Sequence, residues 1–553
     1  MTHQTEQLPP LIRALLTDPS CYDHAVAQVR LIETHISWVL LTGEYAYKIK
    51  KPLDLGFLDF STLAQRQQAC AEEVRLNRRL APEIYLGVVA ISGSPETPRI
   101  NSPDKNRYGE VTATDDESRH ARFPLPNPLP QAGEGANESL REIHVNEPIE
   151  YAVQMRQFPP DATLDRLDER GELNIEQIDQ LAARLAQFHL AECARASAAS
   201  PWGGPDNISR PVAENFKLLF AKLDDATEIQ RLTALQDWSS AEHERLAPLM
   251  HERKRNGFVR ECHGDLHLGN LAWVDGQLLI FDCIEFSPAL RWIDVISEVA
   301  FCFMDLLHRR KNALASRFLN AWLEASGDYA GMALLRYYAV YRALVRAKVA
   351  ALRSGQTASG DAAAGHAEVA SCLQLAESLT KSMPPQLWIT HGLSGSGKTT
   401  LTQSLLQEQG MIRLRSDVER KRLAGLGALA PSGSEVEQGL YTQHASRRTY
   451  EQLARLAEGL LDAGWPVIID ATCLARWQRD LFRNLAQRRG VPFRILDLRA
   501  DHATLRQRIS LRSTRGKDAS EADLRVLQRQ IETARPLDAD ELSVTTVYPV
   551  PST

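Results

Sequence analysis

The run Gly392-Leu393-Ser394-Gly395-Ser396-Gly397-Lys398-Thr399 fills every fixed position of the phosphate-binding pattern G-x-x-x-x-G-K-[ST]. Glycines at these spacings let successive backbone N–H groups turn inward on phosphate oxygens, and the start of a helix adds its positive end. The expected cradle comprises Gly392, Ser394, Gly395, Ser396, Gly397, Lys398, Thr399 and Thr400, with Lys398 on the β/γ-phosphates and the Thr399 hydroxyl on Mg²⁺. A second constellation lies far upstream. His263-Gly264-Asp265-Leu266-His267-Leu268-Gly269-Asn270 precedes an apolar Leu278-Leu279-Ile280-Phe281 that ends in Asp282. Phosphoryl transfer to a hydroxyl needs a carboxylate facing that hydroxyl. It also needs an Asn five residues on and a further Asp after the next strand to hold Mg²⁺ on the phosphates. Asp265, Asn270 and Asp282 meet that spacing; the competing reading is a turn rich in His, Gly and Asp.

Elements must hold these residues in place. Leu387-Trp388-Ile389-Thr390 reads as a buried strand entering the phosphate loop, and the residues through Leu405 as the helix leaving it. Further strands are expected at Val467–Ile469 and Phe493–Leu498, giving a βαβα order that predicts a parallel sheet wrapped by helices. Far upstream, Ser37 to Lys50 reads as a hairpin turning at Gly43-Glu44. Lys48 and Lys50 share one face of its second strand, because side chains alternate. Thr62 to Leu80 is expected as a helix carrying Glu72 and Glu73, and Tyr151–Met155 as a strand. Leu164 to Ala350 reads as mostly helical. Small strand lobe, hinge at Phe158-Pro159-Pro160, large helical lobe: the order predicts an α+β bilobal domain followed by an α/β nucleotide-binding domain.

Composition sets outer limits. The chain has 553 residues and a formal net charge of −6, with charges of both signs interspersed, so nothing suggests a general nucleic-acid or membrane-surface protein. Its eight cysteines show no C-x-x-C pair, which argues against a disulfide framework or structural zinc. No apolar run approaches a membrane span, and residues 1–10 lack an apolar signal core, so a cytoplasmic protein is expected. The polar, Pro/Gly-rich stretch of about 92–146 reads as a disordered insertion. Residues 354–383 read as a linker carrying a short helix at 367–381. The expected domains are therefore 20–353 and 384–553.

On the strength of His263-Gly264-Asp265, Asn270, Ile280-Phe281-Asp282 and Tyr47-Lys48-Ile49-Lys50, the first half resembles the aminoglycoside phosphotransferase-like branch of the kinase-like superfamily. That resemblance implies transfer of the ATP γ-phosphoryl to a small-molecule hydroxyl. It makes Asp265 the base and Asn270 with Asp282 the Mg²⁺ ligands. Lys48, steadied by Glu73, would sit on the α/β-phosphates; Lys50 and Glu72 remain alternatives. The chain lacks the G-x-G-x-x-G loop and the A-P-E segment of protein kinases, which speaks against a protein substrate. His267 reads as a loop or core histidine and Glu285 as structural.

Leu414-Arg415-Ser416-Asp417-Val418-Glu419-Arg420, after the P-loop, resembles the small P-loop kinases grouped with polynucleotide and gluconate kinases. By that resemblance Asp417 takes the acceptor's proton and Arg420 holds a substrate anion. Asp470 has the form of a Walker B carboxylate, with capping of the next helix as the alternative. Arg508 and Arg512, one turn apart, are expected to close as a lid on the transferring phosphate. The combined expectation is a bifunctional ATP- and Mg²⁺-dependent phosphotransferase acting on small-molecule hydroxyls. The alternatives are a nucleotide-sensing regulator, or a second half acting on nucleic-acid 5′-hydroxyl ends.

Overall fold

The computed structural model describes residues 8–101 except 57, then 147–354, 359–428, 430, 442–515 and 520–549. The chain divides into two compact units, Met1–Ala162 with Leu279–Pro288, and Thr163–Leu278 with Ala289–Thr553.

The first unit is a six-stranded antiparallel sheet in the order β1-β2-β3-β6-β4-β5. Its strands are β1 (Arg30–Glu33), β2 (Ser37–Leu41), β3 (Tyr45–Lys50), β4 (Tyr85–Ser94), β5 (Thr97–Asn101) and β6 (Glu150–Arg156). The β2–β3 turn falls at Gly43, whose φ of +102° an L side chain rarely adopts. On β3, Tyr47 and Ile49 point into a core with Leu40, Val89, Ile91 and Ala152. Helix α1 (Pro10–Thr17), which the sequence reading passed over, closes that core with Ile12 and Leu15. Lys48 and Lys50, alternating with those residues, take the opposite face, toward α2 (Leu63–Asn77). Thr62 and Gln65 start α2 with a reciprocal capping box. Of the insertion expected over about 92–146, residues up to Asn101 are instead paired strand, because β4 and β5 pair through Asn101; residues 102–146 lie outside the described residues.

The second unit opens with the helical lobe. Its long helices are α3 (Ile175–Gln187), α4 (Pro205–Lys222), α5 (Ala226–Arg255), α6 (Val295–His308), α7 (Asn312–Ser326), α8 (Met332–Ser354) and α9 (Ser359–Thr380). Short strands β7 (Val259–Glu261) and β8 (Leu271–Val274) flank the His263–Asn270 loop, β9 (Gln277–Ile280) leads back to the first unit, and β10 (Trp292–Asp294) pairs with β7. Helix α9 begins inside the stretch whose Gly/Ala/Ser composition suggests a linker. Val369, Cys372, Leu373 and Ala376 give it a buried stripe at helical spacing.

The same unit continues into a five-stranded, all-parallel sheet ordered β12-β13-β11-β14-β15. These are β11 (Leu387–His391), β12 (Ile412–Arg415), β13 (Val467–Asp470), β14 (Phe493–Arg499) and β15 (Thr545–Pro549). Between them run α10 (Lys398–Gln409), α11 (Ser416–Leu423), α12 (Gln443–Asp462), α13 (Arg476–Arg489), α14 (His502–Arg515) and α15 (Leu524–Thr533). Central strands buried on both faces read as unbroken apolar runs, which is why Leu387–Thr390 and Val467–Ile469 were legible. The bilobal α+β plan and the parallel α/β sheet are both present. Among the described residues, no helix is long and apolar enough to cross a membrane.

Candidate functional site

In the first unit the chemistry gathers on a buried cluster of two lysines and three carboxylates. Lys48 Nζ lies 2.8 Å from Glu73 Oε1 and 2.5 Å from Asp282 Oδ1. Lys50 Nζ bonds Glu73 Oε2 and Glu285 Oε1. Glu73 is fully buried between the lysines, whereas Glu72 turns outward to Arg75 at 2.7 Å. The lysines differ in access: Lys50 has no exposed surface, while Lys48 reaches Asp282, whose side chain is 44% exposed. Burial disfavours a charged Lys48, yet Asp282 and Glu73 more than offset it, so its pKa lies well above 10.5. Burial pushes Glu285 up from its usual carboxyl range against the pull of Lys50. Asp282 sits at a left-handed φ of +65°. Two bonds hold that turn: the Asp282 N–H donates to the Tyr85 hydroxyl at 3.1 Å, and the Cys283 N–H to Asn77 Oδ1 at 2.9 Å.

The second unit holds the Asp265 loop. Asn270 Nδ2 donates to the Asp265 backbone oxygen at 2.9 Å and to Asp265 Oδ2 at 3.1 Å. That orientation leaves Asn270 Oδ1 as the oxygen a hard cation would take. His267 Nε2 stands 3.5 Å from Asp265 Oδ2, and its Nδ1 accepts from the Gly269 N–H at 3.1 Å, so it is a loop histidine. Burial would raise Asp265, but His267, His263 and Arg342 together outweigh it and hold the carboxylate well below the usual range. The loop is clamped from two helices. On α6, Glu298 Oε1 accepts from the Gly264 N–H at 2.8 Å and Asp305 Oδ2 from the Leu268 N–H at 2.9 Å. On α8, Arg342 donates to the Gly264 carbonyl at 3.0 Å. His189 Nε2, 2.7 Å from Glu298, and Trp322, donating to His189 Nδ1 at 3.3 Å, extend the clamp.

The P-loop lines a cavity of about 680 Å³ together with Asp417, Arg420, Asp470, Arg508 and Gln530. Gly392 lies at φ +152°, where an added Cβ would stand 2.8 Å from the Leu498 carbonyl; only glycine closes this turn against β14. Lys398 folds back on the Gly392 and Leu393 carbonyls at 3.1 and 2.8 Å. The Thr399 hydroxyl donates to Asp470 Oδ2 at 2.8 Å. A hydroxyl and a carboxylate side by side are the hard oxygen donors that Mg²⁺ takes, so the residues fit the expected cation. Asp470 does not cap the following helix, because Gln478 caps α13 by reaching back to the Ala475 N–H at 2.9 Å. Asp417 Oδ1 pairs with Arg420 Nη1 at 2.8 Å, one turn along α11. Burial would raise Asp417, but Arg420 and a bond from Ser520 lower it, so it is ionised at neutral pH. Arg508 reaches the loop, 3.8 Å from where a Cβ on Gly397 would lie. Arg512 is on α14, with its side chain outside the described residues.

Sequence reasoning missed Gln530, whose Oε1 accepts from the Ser394 N–H at 2.8 Å and so occupies one of the phosphate-loop amides. It also missed the clamp residues Glu298, Asp305, Arg342 and His189. None carries a local signal, since each acts on a loop far away in sequence.

Comparison with known proteins assigns both halves. Residues 120–335 match the family model of the phosphotransferase enzyme family, and residues 387–537 that of an AAA domain. The first match contains Asp265, Asn270 and Asp282 and begins beyond Lys48 and Glu73; the second contains every P-loop residue named above. An uncharacterized protein of Mycobacterium tuberculosis (strain ATCC 25618 / H37Rv) is 29% identical over 476 residues, covering 85% of this chain and 84% of its own. One of Mycobacterium bovis (strain ATCC BAA-935 / AF2122/97) matches over the same lengths at the same identity. Among solved structures, a sugar kinase from Janibacter sp. HTCC2649 aligns at TM-score 0.24 and 24% identity, over 30% of this chain and 86% of its own. A choline/ethanolamine kinase family protein from Mesorhizobium loti aligns at TM-score 0.35 and 10% identity, over 68% and 96%. The chain joins a domain of the phosphotransferase enzyme family to an AAA domain, and it is a phosphotransferase.

Proposed function

We propose that the chain is a bifunctional ATP-dependent kinase, each half transferring the ATP γ-phosphoryl to a hydroxyl of a small-molecule acceptor. The observation that carries this reading is Asp417, an ionised carboxylate lining the same cavity as the phosphate-loop amides. Binding alone requires no base. Mg²⁺, when bound with ATP, neutralises phosphate charge. In the second half Thr399 and Asp470 offer it oxygens, and Lys398 with the loop amides of 394–399 binds phosphate. Asp417 orients the acceptor hydroxyl and takes its proton as the new O–P bond forms and ADP leaves with the bridging oxygen. Arg420 holds an anionic group of the acceptor, and Arg508 and Arg512 close on the transferring phosphoryl. In the first half the same roles fall to Asp265 as base, Asn270 and Asp282 as cation ligands, and Lys48 steadied by Glu73. The net charge of −6 disfavours long duplexes as acceptors, and eight free, buried thiols suit a reducing cytoplasm.

The test incubates purified protein with γ-labelled ATP and fractionated bacterial small molecules and short oligonucleotides. Wild type runs beside Asp265→Ala, Asp417→Ala and Lys398→Ala. Two labelled products are expected, one lost in Asp265→Ala and the other in both P-loop variants. Nucleotide binding without any labelled product refutes the reading in favour of a sensor, and label confined to oligonucleotide 5′ ends replaces the small-molecule acceptor of the second half.

A further inference from the structure

One of the two edge strands of the parallel sheet is β12, and helix α7 of the helical lobe seals it. Asn320 Oδ1 accepts from the Arg413 N–H at 2.8 Å, and its Nδ2 donates to the Met411 carbonyl at 3.0 Å, as a neighbouring strand would. One turn later on the same helix, Glu324 Oε1 takes Arg413 Nε at 2.8 Å and Nη2 at 2.7 Å, and Glu324 Oε2 lies 3.5 Å from Arg415 Nη1. These two arginines border the expected cation ligands. Arg415 Nε is 3.8 Å from Asp470 Oδ2, and Arg413 Nη1 is 3.4 Å from the Thr399 carbonyl. One carboxylate from the phosphotransferase-family half thus shares its charge with the guanidinium groups that border the cation site of the other half.

We infer that Glu324 is a positioning residue for the P-loop cation site. By drawing the positive charge of Arg413 and Arg415 to itself, it keeps Asp470 available to a divalent cation and couples that site to helix α7. The inference rests on the P-loop half binding Mg²⁺ with nucleotide. Without the Glu324 charge, less of the Arg415 charge is offset, so its attraction for Asp470 strengthens and competes with the cation.

The test measures the Mg²⁺ dependence of ADP binding to the full chain by calorimetry, taking as the P-loop component the binding that Lys398→Ala lacks. Glu324→Gln should raise the Mg²⁺ midpoint of that component roughly fivefold or more, within the usual range of coupling between sites. ADP binding without Mg²⁺ should stay unchanged. Glu324→Gln with Arg415→Met should return the midpoint to within about twofold of wild type, because the competitor is gone, an outcome that a merely structural role for Glu324 does not produce. An unchanged midpoint in folded Glu324→Gln, or a double variant that fails to recover, overturns the inference. If Glu324→Gln does not fold, Arg415→Met alone carries the test: its midpoint should fall, and an unchanged one overturns the inference. Absence of any Lys398-dependent ADP binding in wild type would instead sink the nucleotide-site reading on which the inference stands.

Discussion

Replacing Lys50 by Met separates the two lysines of the buried cluster. Lys50 and Glu73 have no exposed side-chain surface, and Glu285 is 3% exposed. Removing one partner of a buried ion pair costs about 3–5 kcal/mol, because the other charge is left without compensation. Glu73 keeps Lys48 at 2.8 Å, so the carboxylate that loses its nearest cation is Glu285. Burial already pushes Glu285 up, and without Lys50 it rises further until the folded protein takes up a proton there. That relief holds the expected loss near the low end, about 3 kcal/mol at pH 8. A carboxyl whose folded pKa lies above its unfolded value makes the folded state bind more protons, so stability falls as pH rises between the two values. The deficit against wild type should therefore be smaller at pH 5 than at pH 8. Lys48→Met leaves Glu73 paired with Lys50 and Asp282 open to water, so its stability loss should be about 1–2 kcal/mol, while it removes nucleotide binding by the first half. Urea unfolding followed by circular dichroism reads the difference. With a slope of about 1–3 kcal/mol per molar, the Lys50→Met transition should move down by roughly 1–3 M. Wild-type stability in Lys50→Met, or equal losses for both lysines at both pH values, would show that Lys50 is not the structural member of the pair.

Other consequences follow from the same physics. Arg420→Met removes the main force holding the Asp417 carboxyl below its usual 3.8, so the acid limb of P-loop-half turnover should move to higher pH; a pH–rate profile that keeps its acid limb refutes the pairing. Gln530→Ala frees the Ser394 N–H for phosphate. If one net hydrogen bond of about 1 kcal/mol is at stake, ADP should bind roughly fivefold tighter by calorimetry, and weaker binding would mean that Gln530 contacts nucleotide instead. His267 is lowered by burial but raised overall by Asp265, above 6.5. Its stabilising charge is complete below about pH 6.5 and is lost as pH rises through the folded-state value. His267→Gln should therefore flatten the fall in stability on the alkaline side, measured by urea midpoints between pH 6 and pH 9.

Chemistry carried by contiguous residues could be read without a fold. The P-loop is one turn between one strand and one helix, and the Asp265–Asn270 pair is one loop, so residue type and spacing alone determine both constellations and the nucleotide chemistry they imply. The parallel sheet was legible for a related reason: strands buried on both faces are apolar throughout. The helix expected at 367–381 is present within α9; only its earlier start at Ser359 was hidden, because small residues there give a composition that also suits linkers. Choices between equivalent positions needed the tertiary structure. Glu72 and Glu73 are neighbours on one helix, and only the packing of α2 against the sheet turns Glu73 inward to both lysines while Glu72 meets solvent. The partners of Lys50 at Glu285, of Ser394 at Gln530 and of Arg413 at Glu324 lie 235, 136 and 89 residues away. No local pattern encodes such pairs, because a buried charge or amide specifies that it must be satisfied and leaves the packing of distant elements to decide by what.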